Sequence, residues 1–229
     1  MRVHLVFLLF VTKIIGAAQQ VSSDPVGAFF NQSQIKPLHS YKGTQKFVVV
    51  GTGKNGKKQT GWIETSVELS ANGEFSSNIT KRGGSKLVTT YLEMFVVGKR
   101  PNVIRSDFTD ANYEITFNDV VHEDNSILIR LRLKPKRKEI YLTDGFIFIR
   151  SDGEHYGDMV KMDGQAAKNP LFTNSGHVTR FYDRILGTRV PIKMMLTASI
   201  SVPFVVSNAS VNLVATYSYS EINGEKIKQ

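Results

Sequence analysis

The 229-residue sequence contains no cysteine, and this absence excludes structural disulfides, cysteine-ligated zinc, iron–sulfur clusters, thiol catalysis and a lipid-modified N-terminal cysteine. Proline is scarce, at 7 residues, and glycine contributes 18, which excludes collagen-like and proline-rich low-complexity chains. The rest of the composition is typical of a folded protein, with 41% hydrophobic and 21% charged residues. A chain of this length buries one good core or two small ones.

Long hydrophobic runs are missing after the first 18 residues. The N-terminus has a short polar start, an apolar stretch over residues 5–10 and the small residues Gly16, Ala17 and Ala18. This pattern is typical of a secretory signal peptide cleaved after Ala18, and it is too short to remain as a membrane span. Lys13 interrupts it, so a buried N-terminal strand is the alternative. We expect a signal peptide at residues 1–18, a single domain at 19–229, and export to the periplasm.

After Tyr41 apolar and polar residues alternate with a period of two, which predicts antiparallel strands with one buried and one solvated face. Asn-Gly and Asp-Gly pairs between the segments are typical hairpin turns. We predict nine to eleven strands. The segments that alternate or are rich in strand-forming residues are 45–50, 62–69, 113–117, 127–134, 178–185, 191–202 and 209–220.

Residues 85–97 break this alternation and predict an amphipathic helix capped by Ser85. A shorter helix is predicted from Asp24 and Pro25 to about Ile35. The fold class is therefore mainly β, with one or two short covering helices, and the Lys-rich tail after Gly224 is expected to be loose.

The sequence contains no complete motif for catalysis or cofactor binding. Residues 51–56 match G-x-G-x-x-G, but an alternating strand follows where a phosphate site needs a helix, so we interpret them as a hairpin loop. The five histidines show no metal spacing, and there is no G-x-S-x-G elbow. We predict no catalytic, cofactor or metal residue and no enzymatic activity, although carboxylates distant in sequence can still meet in the fold.

The densest basic run begins with Arg130, Arg132 and Lys134 on one strand face and continues into a turn at residues 136–138. Nucleic-acid sites interleave exposed aromatics with such residues, and here Tyr141 is the nearest aromatic, so no nucleic-acid partner is predicted. A solvated face is the simpler interpretation. Weak attraction to an anionic membrane surface is the functional alternative.

Residues 131–172 read LRLKPKRKEIYLTDGFIFIRSDGEHYGDMVKMDGQAAKNPLF: a strand ending in a Pro- and Lys-rich turn, an Asp-Gly hairpin and an aromatic-rich strand. Residues 180–199 and 212–224 add a Gly turn followed by Val-Pro and a closing strand. Over residues 40–223 the sequence resembles the periplasmic outer-membrane lipoprotein-sorting superfamily, the LolA/LolB/RseB-like proteins. Where the family shows IWVD this chain has IFIR, and no cargo-binding residue is carried over.

The resemblance implies an unclosed antiparallel β-barrel with an apolar cavity and a helical lid. It also implies a carrier or sensor for acyl chains of a lipid or lipoprotein, working with a membrane donor or acceptor protein. The alternating segments and the helix supply candidate residues, each of which could instead be ordinary core. The cavity candidates are Ile63, Val67, Leu69, Ile129, Leu131 and Ile147, and the lid candidates are Leu87, Tyr91, Leu92 and Phe95.

Two other classes compete with this interpretation. Alternating strands are also the signature of an integral outer-membrane β-barrel. Against it, Arg130 and Arg132 would need a lumen, and the helix at residues 85–97 would have no place. An exported β-rich enzyme or polysaccharide-binding sandwich is the third hypothesis, and the rows of exposed aromatics that would support it are not visible in the sequence.

Overall fold

The computed structural model describes residues 24–31, 35–52, 56–96, 108, 112–123, 126–137, 142–166, 176–202 and 206–228, without the side chains of 91, 94, 95, 200–202 and 206–209. The predicted signal peptide, residues 1–18, lies outside them. The helices are α1 (Pro25–Phe30) and α2 (Lys86–Val96), and a single 3₁₀ turn spans Gly153–His155. The strands are β1 (Tyr41–Thr52), β2 (Lys58–Leu69), β3 (Phe75–Gly84), β4 (Tyr113–Glu123), β5 (Ser126–Pro135), β6 (Asp144–Arg150), β7 (Met159–Ala166), β8 (Gly176–Ile185), β9 (Thr188–Val202), β10 (Val206–Ile222) and β11 (Glu225–Lys226).

All eleven strands belong to one antiparallel sheet. Its order is β3-β2-β1-β10-β9-β8-β7-β6-β5-β4, with β11 attached to β10. The edge strands β3 and β4 do not pair with each other within the described residues, so the barrel is unclosed. The predicted fold class is thereby confirmed, including the number of strands and the short helices.

The two faces of the sheet follow from the alternation in the sequence and from the register. Phe47 of β1 lies opposite Ile63 of β2 on one side and Ala215 of β10 on the other, so these apolar side chains share a face. Ile147 of β6 lies opposite Leu131 of β5 in the same way. We call the face that carries these residues the inner face and the opposite one the outer face.

Both helices lie where the sequence predicts them, with differences at their ends. The Asp24 carboxylate accepts a hydrogen bond from the Gly27 amide at 2.7 Å, and Pro25 opens α1. α1 ends at Phe30, five residues before the predicted end. Ser85 precedes α2, but its hydroxyl bonds to Gln59 Oε1 at 2.8 Å instead of capping the helix. Neither helix has the length and apolar character needed to cross a bilayer.

The C-terminal tail is more ordered than expected. Asn223, at φ 51°, and Gly224, at φ 82°, turn the chain into β11. Ile227 then packs against the core near Ile222, and its amide bonds to the carbonyl oxygen of Ser220 at 2.9 Å. The expectation of a loose tail is therefore wrong, because an apolar residue at 227 gives the tail something to bury.

Candidate functional site

The inner face carries three packed clusters rather than one continuous core. The α2 cluster consists of Val49, Ile63 and Leu92. The end cluster consists of Tyr41, Val67, Leu69, Val190 and Ile222. The α1 cluster is the largest and contains Phe29, Phe108, Tyr113, Ile115, Ile129, Leu131, Leu133, Leu142, Ile147, Ile149, Met159, Met162, Val178 and Tyr182.

The six predicted cavity residues all lie on the inner face, distributed over the three clusters. Ile63 belongs to the α2 cluster, and Val67 and Leu69 belong to the end cluster. Ile129, Leu131 and Ile147 belong to the α1 cluster. None of the six side chains is more than 5% exposed. The structure thus groups them by face and packs each against protein neighbours. That they line a cavity for acyl chains stays a prediction.

Of the predicted lid residues, Leu92 and Leu87 have described side chains. Leu92 is 3% exposed and packs against Val49 and Ile63, whereas Leu87 is 42% exposed. Tyr91 and Phe95 belong to α2, but their side chains lie outside the described residues. α2 therefore rests on the sheet through Leu92 and its row, as an amphipathic helix does.

Between the α1 and α2 clusters lies a strip of apolar side chains that are neither buried nor fully exposed. We call it the central strip, and it crosses strands β1, β10 and β9. Leu213 lies opposite Leu196 in the register, and Val211 lies two positions from Leu213 on the same face of β10. Phe47 and Met194 lie on either side of Ala215, so the strip crosses the three strands. Sequence reasoning left these residues out, although their alternation was visible. Its members are Phe47, Val211, Leu213, Met194 and Leu196.

The inner face also stays open toward the edge strand β4. Phe117 lies opposite Leu131, and Val120 lies opposite Ile129, so both extend the apolar surface of the α1 cluster. Phe117 is 51% exposed, Val120 39% and the neighbouring Ile127 42%. Contiguous exposed apolar patches, unlike scattered single residues, mark interaction surfaces.

A row of polar groups crosses the same face. Thr65, Gln45 and Tyr217 lie directly opposite one another on β2, β1 and β10, and Thr65 and Gln45 are buried. Arg180 on β8 faces inward too, because it lies opposite Met162 and Met194. We call Thr65, Gln45, Tyr217 and Arg180 the polar row.

The phenols around this row are held in their neutral form. Burial raises the pKa of Tyr217 to about 12, and the nearby positive charge of Arg180 partly opposes this shift. Burial also raises the pKa of Tyr113, against the hydrogen bond from the Thr143 amide and the charge of Arg180. Each hydroxyl therefore keeps its proton at neutral pH.

A small polar pocket of about 180 Å³ opens beside the α1 cluster. Arg150, Arg184 and Arg189 line it, together with Asp158 and His155. The Asp158 carboxylate lies 3.2 Å from His155 Nδ1 and 3.6 Å from an Arg184 nitrogen. The negative charge that balances the basic side chains of this pocket therefore comes from the protein itself. The volume is below the roughly 300 Å³ at which small-molecule pockets begin.

Arg189 enters the α1 cluster from this pocket. Its guanidinium lies 5.2 Å from the ring centre of Phe29 and 5.9 Å from that of Phe108. Burial lowers its pKa, while the nearby Tyr182 and Asp158 oppose that shift. These contacts give Arg189 a packing role at the base of α1.

The outer face holds the basic residues in ion pairs and against aromatic rings. Arg130 bonds to both carboxylate oxygens of Asp119, and Lys161 bonds to Glu123 at 2.5 and 2.7 Å. Lys161 also lies 4.0 Å from the ring centre of Phe148. Of the basic run predicted to be solvated, the three strand residues form ion pairs on their own face: Arg130 with Asp119, Arg132 with Asp144 and Lys134 with Glu114. Within the described part of the chain, no group of three acidic or histidine side chains is arranged to hold a metal ion.

Comparison with known proteins finds likeness in structure and none in sequence families. No family model matches the chain, and no curated protein matches it. A LolA superfamily protein from Nitrosomonas europaea has 10% identity and a TM-score of 0.36, covering 82% of this chain and 87% of that one. A DUF1329 family protein from Desulfovibrio piger has 12% identity and a TM-score of 0.43, covering 85% and 90%.

A third solved structure, an outer membrane lipoprotein-sorting protein domain from Vibrio parahaemolyticus, has 9% identity and a TM-score of 0.39, covering 85% of this chain and 90% of that one. With identities near 10% and TM-scores below 0.5, these likenesses say nothing about what this chain binds.

Proposed function

We propose that the protein is an exported carrier or sensor that holds acyl chains of a lipid or lipoprotein on the inner face of its unclosed barrel. The observation that carries this proposal is the central strip, an apolar surface left only partly buried between two helix-covered clusters. A folded domain gains free energy by burying such side chains, so leaving them accessible is costly unless a ligand covers them.

The dimensions suit an elongated apolar ligand. The described inner-face side chains of β10 run from Val211 to Tyr219, eight residue steps that span roughly 26 Å at about 3.3 Å per residue. The strip crosses three strands, and neighbouring strands lie about 4.8 Å apart. An acyl chain on this surface would therefore lie along β10.

Binding by this surface is burial rather than chemistry. Each CH₂ group transferred out of water contributes about 0.8 kcal/mol, and a lipid already in a membrane has gained the same amount. Net transfer from a membrane is therefore close to neutral and must be shifted by a lid movement or a partner protein. α2 is the element placed for such a movement, since it covers one side of the strip through Leu92 and Val88.

The test is binding of a fluorescent C16 acyl probe by the full mature chain, compared with Leu213→Asp and Asn212→Asp. Leu213 lies in the strip, whereas Asn212 is the adjacent exposed residue on the outer face, and an aspartate there keeps the acceptor for Thr197. We expect Leu213→Asp to weaken binding at least tenfold and Asn212→Asp to leave it unchanged.

Thermal melting of the same samples separates loss of binding from loss of folding. If Leu213→Asp does not fold, Leu213→Asn introduces a polar group of similar size without a charge, and the same order of affinities is expected. A folded strip variant with undiminished probe binding would contradict the proposal, as would a wild-type protein that binds no acyl probe.

A further inference from the structure

Arg180 stands out on the inner face because it carries a charge in apolar surroundings. Its directly opposed neighbours are Met162, which is 1% exposed, and Met194, and the residues two positions away on β8 are Val178 and Tyr182 of the α1 cluster. The Arg180 side chain is itself partly exposed, so its guanidinium keeps contact with water and is accessible from the inner face. Its apolar neighbours supply no anion to pair with the charge.

No carboxylate among the described residues lies within salt-bridge distance of Arg180, in contrast to other arginines of the sheet. Arg130 contacts Asp119, Arg132 contacts Asp144, and Arg184 contacts Asp158. The guanidinium has five N–H donors in a planar arrangement that fits carboxylate and phosphate oxygens.

Tyr217 gives the position a second donor. Its side chain belongs to the same polar row, and the positive charge of Arg180 lowers the pKa of its hydroxyl, which burial raises. Since the pKa of Tyr217 is raised to about 12, the phenol is protonated at neutral pH and can donate a hydrogen bond. In the part of the chain that the structure describes, this hydroxyl donates to no other residue, which leaves it available to a ligand oxygen.

We propose that Arg180 and Tyr217 bind the anionic head group of an amphiphile whose acyl chain lies on the central strip. The proposal rests on the proposed function, because the strip must hold the chain, and it adds the ligand's charge. Arg180 lies opposite Met194 of the strip, and Met194 lies opposite Ala215, two positions from Tyr217 on β10. A head group at Arg180 and a chain along β10 therefore belong to one continuous site. Carboxylates and phosphates share the required chemistry.

The experiment measures displacement of the fluorescent acyl probe by three C16 compounds: palmitate, hexadecyl phosphate and neutral hexadecanol. For the wild type we expect the better of the two anions to bind at least tenfold more tightly than hexadecanol. Whichever anion binds more tightly identifies the head-group source as a free carboxylate or a phosphate.

Arg180→Gln should weaken binding of that anion ten- to a hundredfold and leave hexadecanol unchanged. The matched control is Lys193→Gln, which removes one positive charge from the exposed outer face of the adjacent strand β9 and should change neither affinity. Tyr217→Phe should weaken the anion by about three- to tenfold. If Arg180→Gln fails to fold, Arg180→Lys keeps the charge without the planar fork and should show an intermediate loss.

The outcomes separate the two proposals. Equal affinities for the anions and hexadecanol in the wild type, or an Arg180→Gln variant that still prefers the anion, would overturn the head-group site and leave the acyl-chain function standing. A wild type that binds none of the three compounds would overturn both.

Discussion

Gly61→Ala is expected to loosen α2 from the sheet, whereas the same change at Gly51 is not. Both glycines lie on the inner face of paired strands, but only Gly61 lies beneath α2. A Cβ at Gly61 would lie 2.8 Å from Val88 Cγ1, 2.9 Å from Val88 Cβ and 3.3 Å from Thr89 Cγ2. Ordinary carbon contacts are about 3.5–4.0 Å, so the helix or its side chains must move by several tenths of an ångström. At Gly51 the nearest atom is Gln59 O at 4.0 Å.

Two opposing effects set the size of the change. Overpacking costs about 1–3 kcal/mol, while replacing glycine by alanine stabilises by about 0.4–1 kcal/mol through the unfolded chain. The net loss for Gly61→Ala is therefore at most about 2.6 kcal/mol and centred near about 1.3 kcal/mol, which is a fall in Tm of roughly 3–5 °C at the centre of the range for a chain of this size. Gly51→Ala experiences only the second effect and should melt at the same temperature or slightly higher.

Hydrogen exchange locates the loss. Amides of α2 should exchange faster in Gly61→Ala, while those of β5 and β6 in the α1 cluster keep their protection. If α2 covers the acyl-chain site, the acyl probe should also bind faster to Gly61→Ala than to Gly51→Ala. A double-mutant cycle with Val88→Ala should show a favourable coupling of at least about 0.5 kcal/mol, since it removes the nearest atom. Identical melting and identical α2 exchange in the two glycine variants would refute the reasoning.

Two further predictions concern other parts of the fold. Asn223→Ala should lower the free energy of unfolding by about 2–4 kcal/mol in urea titrations, because the Asn223 side-chain amide makes four hydrogen bonds. Its oxygen accepts from the amides of His39 and Ser40, and its nitrogen donates to Pro37 O and Thr188 Oγ1. A loss below about 1 kcal/mol would show that water replaces these bonds. Stability should fall as pH rises from about 10 to 12, since the folded protein keeps the Tyr217 proton that the unfolded chain loses at its ordinary value of 10.0. Urea titrations at pH 9, 10 and 11 check this, and a slope that is not reduced in Tyr217→Phe would argue against it.

Sequence reasoning succeeded where one signal is repeated along an element. The alternation at residues 127–134 placed Ile129 and Leu131 on the inner face and Arg130 on the outer face, as the structure does. Every second residue of the strand repeats the same apolar signal, so an error in placing the strand ends does not change which residues are assigned to the inner face. The apolar row of α2 was readable for the same reason.

The polar row was not readable, because it is a property of register between strands far apart in sequence. Thr65, Gln45 and Tyr217 become neighbours only once β2, β1 and β10 pair. Arg180 raised a different difficulty: the register of β8 and β9 shifts between Phe181 and Tyr182, and such an irregularity interrupts a simple alternation. The ionic environment of an arginine depends on these long-range pairings, so a basic residue in a strand cannot be assigned a partner from sequence alone.

The two proposals together explain how one surface could both retain and release a ligand. If both proposals hold, the guanidinium of Arg180 keeps its water in the empty state, and the central strip stays accessible. A bound head group would replace that water and α2 would close over the chain, so the loaded and empty states would differ in stability as well as in shape. Binding then raises the melting temperature with ligand concentration, by RT ln(1 + [L]/Kd) in free energy. An apolar residue at position 180 would stabilise the empty state and remove this difference, which gives a physical reason for a charge among Met162, Met194 and Val178.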